Sequence, residues 1–170
     1  MSGSAQGMTA LDVLDLLSLF AEHQLEVILD GGWAVDALLG EQTRPHADLD
    51  IAMPHKFVPT LRALLEARAY CEIPRSDSRE YNFVMGDEKG HLVDIHTYTF
   101  DQHGKLIFGL PYPPDSLTGH GSIMGTEVRC ITPEWLVKFH TGYALDKNDY
   151  QDVNALCQRF GIQLPPEYAG

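Results

Sequence analysis

Asp48, Asp50 and Asp94 are the residues of this sequence best placed to do chemistry, and their spacing says which kind. In an extended chain, residues i and i+2 point to the same face, so in DLDIAM the two aspartates would project together while Leu49 and Ile51 enter a core. Two carboxylates that close repel each other unless positive charge sits between them. A divalent cation is the natural counter-ion, and oxygen-only ligands suit Mg2+. The stretch HLVDIHTYTF alternates as well, with Leu92, Asp94, His96 and Tyr98 on one face. If it lies beside DLDIAM, Asp94 becomes a third carboxylate in the cluster. Such a set, around two metal ions about 3.5 to 4 Å apart, can clamp both oxygens of an in-line phosphoryl displacement. His96 shares the face of Asp94 and reads as a structural histidine.

A triphosphate also needs backbone N–H groups at close approach. Gly31 and Gly32 stand where LEVILD, read as a strand over 25–30, gives way to WAVDALLG, read as a helix closed by Gly40. Arg44 and Lys138 are cations that could neutralise remaining phosphate charge, and His46 precedes the aspartate strand closely enough to approach the same phosphates. Trp33, next to the glycines, reads as core.

These residues need elements to position them. Thr9 is a plausible N-cap for LDVLDLLSLFAEH, whose Leu11, Leu14, Leu17 and Phe20 recur at helical spacing. PHKFVPTLRALLEARA predicts a helix with Pro59 in its first turn. YNFVMG and HLVDIHTYTF predict two strands joined by a turn at 87–90, and EVRCI predicts a last strand after a Gly/Pro-rich passage at 109–125. TPEWLVKFHTGYA opens with Thr132, Pro133 and Glu134, a strong helix start, and a second helix runs from Asn148 to a stop at Gly161. The expected architecture is α+β: a single domain over 1–170, with a mixed sheet flanked by helices at 9–131 and a small helical part at 132–161.

Bulk properties fit a folded domain of 170 residues, with 44% hydrophobic and 21% charged side chains. The formal net charge of -12 argues against nucleic-acid partners, which are held mainly by Lys and Arg. Cys71, Cys130 and Cys157 form no CxxC pair and read as reduced core thiols. No Lys or Arg precedes Arg44 and there is no long apolar run, so neither a signal peptide nor a membrane span is expected, and the expected location is cytoplasmic. MSGSAQG reads as a frayed start.

Gly31-Gly32, Asp48-Leu49-Asp50 and Asp94 resemble the signature of the nucleotidyltransferase superfamily, the DNA polymerase beta-like fold. More narrowly, DGGWAVDALLGEQTRPHADLDI resembles the lincosamide nucleotidyltransferases and the aminoglycoside 2''-adenylyltransferases. YPPDSLTGHGSIMGTEVRCI and KFHTGYALDKNDYQDVNALCQRFGI look like the short lincosamide enzymes in particular. Fifteen residues separate Gly32 from Asp48, longer than the general superfamily spacing and tolerated in the antibiotic subgroup.

The resemblance implies a nucleotidyltransferase fold and transfer of AMP from ATP onto a hydroxyl of an antibiotic, a lincosamide ahead of an aminoglycoside, with antibiotic resistance as the result. By similarity, Asp48 and Asp50 would hold Mg2+, two ions in all, while Asp94 would share a metal and accept the hydroxyl proton as general base. A carboxylate beside Mg2+ stays ionised near neutral pH and can orient the attacking oxygen. Partners would be ATP and the antibiotic, with no nucleic acid and no membrane, and a homodimer is the assembly to test for. The Gly/Pro-rich passage around Tyr112 is a reasonable wall for the acceptor pocket. The competing reading is a non-catalytic nucleotide-binding relative that kept the fold.

Overall fold

The computed structural model describes residues 7–169. Six of the seven residues read as a frayed start, 1–6, lie outside them. Gly7 is in place: Met8 is buried, and its N–H donates to the His46 carbonyl at 2.9 Å. Helix α1 (Ala10–Glu22) starts as the sequence predicts, with Thr9 and Asp12 forming a reciprocal capping box. Its apolar face differs from the expected one. Val13, Leu16 and Phe20 are buried, Leu14 and Leu17 lie partly covered beside them, and Leu11 is 67% exposed.

Strand β1 (Ile28–Asp30) is shorter than LEVILD suggests, because the Leu25 N–H turns back to the Phe20 carbonyl at 3.0 Å and finishes α1 instead. Helix α2 (Gly31–Leu39) follows without a loop. It is N-capped by Asp30, so both glycines belong to its first turn, and Gly40 closes it at φ 78° as expected. Strand β2 (Leu49–Pro54) leads through a single 3-10 turn into α3 (Val58–Glu66), with Pro59 in its first turn. Strands β3 (Cys71–Ile73), β4 (Asn82–Gly86), β5 (Leu92–Phe100), β6 (Leu106–Gly109), β7 (Gly119–Ile123) and β8 (Thr126–Cys130) complete the sheet. Helices α4 (Pro133–Phe139) and α5 (Lys147–Phe160) close the chain. α4 stops five residues earlier than expected. Thr132 occupies its N-cap position without a side-chain capping bond, while α5 gains a capping box from Asp146 and Asp149.

The strands form one mixed sheet in the order β3-β4-β5-β2-β1-β8-β7, with β6 paired to β5. β2 runs antiparallel to β1 and parallel to β5, so the two aspartate strands are neighbours, as the sequence reading required. One hydrophobic cluster extends from Met8 to Tyr168, with Trp33 2% exposed inside it. Cys130 and Cys157 are buried, and burial pushes the Cys130 thiol up to about 12. Cys71, by contrast, is exposed on short β3.

β3, β6 and β7 went unread in the sequence. β7 is hidden because its glycines look like loop residues, yet both are needed for close packing. A Cβ on Gly121 would overlap the Ala37 carbonyl of α2, and one on Gly119 would come within 2.6 Å of the Cys130 carbonyl. Gly121→Ala is therefore expected to destabilise the fold by about 1–3 kcal/mol through overpacking against backbone that cannot yield. Urea unfolding would measure it, and an unchanged midpoint would mean that β7 can move off α2.

Candidate active site

The sheet register builds the site. Asp30 on β1 stands opposite Asp50 on β2, which stands opposite Asp94 on β5. Three carboxylates thus lie in one row across adjacent strands, with Leu49, Ile51, Val93 and Ile95 buried on the other side. Asp48 sits one residue before β2 on the aspartate side. His96, two residues beyond Asp94, points its Nε2 to 3.7 Å from Asp50 Oδ1 and 3.5 Å from Asp94 Oδ1.

Crowded negative charge shows in the titration of this row. Burial, then the charges of Asp48, Asp30 and Asp94, push the Asp50 carboxyl up to about 6 against the easing effect of His96. Burial likewise raises Asp48 and Asp94 above the usual carboxylate range, with nearby His96 opposing the rise in both. Burial disfavours a charge on His96 too, but the Asp50 and Asp94 carboxylates outweigh it and raise the ring to about 9. The row is a site of stored repulsion that a cation would relieve.

Asp50, Asp94 and His96 can each bring one ligand atom within 4.8 Å of the others, and Asp94 Oδ1 is buried with no hydrogen-bond partner among the described residues. An orphaned carboxylate oxygen beside a second carboxylate fits a divalent cation. Asp48, expected to share that cation with Asp50, falls outside this tight group and lines the neighbouring cavity.

Gly31 and Gly32 answer a steric demand at the same spot. Gly31 has φ 60°, and a Cβ there would overlap the Asp50 carboxylate. A Cβ on Gly32 would run into the His46 ring and lie 2.9 Å from Arg44 Nη2. The turn is further fixed by Asp30, whose Oδ1 accepts the Gly31 N–H at 2.8 Å while its Oδ2 accepts the Tyr112 hydroxyl at 2.6 Å.

Beside the row lies a cavity of about 380 Å³. One wall holds Gly31, Gly32, Arg44, His46, Asp48 and Asp50; the other holds His140, Asp146, Asp149 and Asp152 from the C-terminal helical part. Arg44 reaches across to grip Asp152, with Nη2 2.8 Å from Oδ2 and Nε 3.2 Å from Oδ1, and this pairing raises the guanidinium above its ordinary range. His46 is 5% exposed. Its Nε2 lies 2.5 Å from Asp36 Oδ2, its ring centroid is 4.7 Å from that of Trp33, and Asp36 also accepts from Thr43. A larger groove of about 700 Å³, between α1 and β8, carries no such cluster of groups.

Asp152 is 3% exposed, and Arg44 is the cation paired with its carboxylate. Arg44→Met is expected to cost about 3–5 kcal/mol by leaving that carboxylate buried and unpaired, and Asp152→Asn in the same chain should restore much of the loss. A double-mutant cycle by urea unfolding measures this, and additive losses would mean that the pair is not coupled.

Two expected site residues are placed elsewhere. Lys138 lies exposed on α4 with its ammonium 4.5 Å over the Trp135 ring, and does not line the cavity. Tyr112 is no open acceptor wall. It is 7% exposed, packed edge-on against Tyr98 and Phe139, with its hydroxyl turned inward to Asp30 and pushed well above its usual range by burial and that carboxylate. Asp30, Asp36, Asp152 and His140 were missed. An Asp directly before a glycine pair was the available signal for Asp30; nothing local marks the others.

Comparison with known proteins decides the family. The family model for aminoglycoside-2''-adenylyltransferase matches residues 12–156, most of the chain. The chain belongs to this family. Within the aminoglycoside-2''-adenylyltransferase family its relatives include a lincosamide resistance protein of Staphylococcus haemolyticus, 29% identical over 155 residues, covering 88% of this chain and 94% of the relative. A 2''-aminoglycoside nucleotidyltransferase of Escherichia coli is 30% identical over 131 residues, 76% of this chain and 71% of the relative. The lincomycin-bound structure of the lincosamide antibiotic adenylyltransferase LnuA superposes with a TM-score of 0.78 at 24% identity, covering 92% of this chain and 99% of that one. The fold is therefore the nucleotidyltransferase fold, and the chain is an enzyme of the nucleotidyltransferase class. No helix among the described residues is long and apolar enough to cross a membrane.

Proposed function

We propose that this enzyme transfers AMP from ATP to a hydroxyl of a small antibiotic, a lincosamide first, in a reaction that depends on divalent metal. The observation that carries the reading is the in-register Asp50 and Asp94 pair, with its orphaned oxygen, beside a cavity floored by a helix N-terminus. When bound, Mg2+ would offset triphosphate charge and polarise the phosphoryl group under attack.

The chain's own residues do the rest. Asp50 and Asp94 would hold the cation, with Asp48 adding a carboxylate from the cavity side. The α2 N-terminus at Gly31 and Gly32 offers the positive end of its dipole to phosphate. Arg44 and His46, held by Asp152 and Asp36, line the same cavity and would set the position of the triphosphate. Asp94 accepts the proton of the acceptor hydroxyl, turning it toward the phosphorus as the bond to pyrophosphate breaks. Most of the acceleration would come from positioning and electrostatics. ATP use fits a cytoplasmic enzyme.

A lincosamide is favoured because the Staphylococcus haemolyticus relative aligns over 94% of its own length, including the C-terminal part that forms the second cavity wall. The aminoglycoside reading is supported by that wall itself, where Asp146 and Asp149 offer negative charge to a polycation. Pyrophosphate release from ATP and Mg2+, with lincomycin, clindamycin, kanamycin, tobramycin or no acceptor, separates them when products are weighed by mass spectrometry. Addition of one AMP to a lincosamide is the expected result. Addition to an aminoglycoside alone would replace the acceptor, and transfer to neither would overturn the antibiotic reading.

A further inference from the structure

We propose that His96 is itself a metal ligand, and that its ring nitrogen gives this site a mixed oxygen and nitrogen donor set that prefers Mn2+ or Co2+ over Mg2+. The inference rests on the metal-dependent reading above and concerns the choice of ion within it.

Position comes first. The parallel pairing of β2 with β5 sets Asp50 against Asp94, and the two-residue period of β5 puts His96 on the same side, one step further along. Its Nε2 then lies nearly equidistant from both carboxylates, at 3.7 and 3.5 Å. Those separations are too long for good hydrogen bonds. They are close to the spacing of donors that share one ion, since ligand bonds of about 2.0–2.2 Å set neighbouring donors about 3.0–3.5 Å apart. Asp94 Oδ1, buried and without a partner, faces the same point.

Donor chemistry then sets the preference. Carboxylates and water alone suit Mg2+, which binds imidazole poorly, whereas imidazole strengthens binding of later first-row ions in the order Mn2+ then Co2+. A proton and a metal ion compete for the same ring nitrogen, and a doubly charged ion better relieves three facing carboxylates than a single proton does.

The test uses the whole protein loaded with Mn2+ alone. Pulsed electron paramagnetic resonance of the wild-type complex should show coupling of Mn2+ to a histidine nitrogen, which changes when the protein is grown with 15N-histidine and disappears in His96→Gln. Titration followed by the free-ion Mn2+ signal should show about tenfold or more loss of Mn2+ affinity in His96→Gln. Mg2+ affinity, read by competition, should change less than threefold. Nitrogen coupling absent from the wild-type complex would overturn the proposal without any need for the variant to fold. Coupling that survives in folded His96→Gln, or equal losses for both ions, would also overturn it. AMP transfer supported by an ion that shows no nitrogen coupling would remove only this inference, while a wild-type protein that binds no divalent ion would remove the metal-dependent reading as well.

Discussion

Asp94→Asn is expected to lower kcat for AMP transfer by about 10²–10⁴-fold while ATP binding persists. The amide keeps the size and shape of the side chain but can neither take a proton from the acceptor hydroxyl nor bind a cation with full charge. In the proposed reading ATP would be held by the cavity walls at Gly31, Gly32, Arg44 and His46, which this change leaves alone. A loss of fold would give the same loss of turnover, so stability must be read in parallel. Burial raises the Asp94 carboxyl, and so do Asp48 and Asp77, which means that its charged form is a burden on the metal-free fold. Removing that charge should leave Tm in a chelator unchanged or higher. Retained kcat in the variant would take the general base away from Asp94, and a lower Tm would show that the carboxylate supports the fold.

The second large effect is expected at Gly31→Ala, where transfer should fall about 100-fold or more. Two penalties meet there. The residue sits at φ 60°, where a side chain costs about 1–2 kcal/mol, and the new methyl group would occupy the place of the Asp50 carboxylate. If Asp50 turns aside, the Asp50, Asp94 and His96 group is broken; if α2 shifts, the cavity floor moves. A misplacement of about 1 Å is enough for a hundredfold loss in a reaction that depends on positioning. Gly40→Ala provides the control, because Gly40 has φ 78° but its Cβ would meet only Ser122 Oγ, at 3.8 Å. Gly40→Ala should lose stability and keep turnover. Equal turnover in the two variants would mean that the clash with Asp50 is absorbed without cost and that its carboxylate position is not critical.

Local chemistry was legible in the chain. Asp48, Asp50 and Asp94 announced themselves through residue type and a two-residue period, because alternation along a strand is a covalent property that needs no partner to be read. The caps at Thr9, Gly40 and Gly161 could be read for the same reason, each acting within a few residues of itself. The placement of β5 beside β2 was only the condition for a three-carboxylate cluster, and the sheet meets it.

Only the tertiary structure decided which groups those carboxylates meet. Asp30 joins the row because β1 happens to lie in register with β2, and sheet register is fixed by core packing far from the site. Arg44 and Asp152, 108 residues apart, pair only because α5 folds back over the cavity. Tyr112 sat in a passage that read as loop and was drawn to Asp30 by burial, where its hydroxyl could not remain unpaired. β7 was invisible as a strand because its glycines reflect the closeness of α2 rather than any preference of their own. His96 could be placed on a face by counting residues, but its closeness to both Asp50 and Asp94 depended on how two strands pair, which no single strand carries.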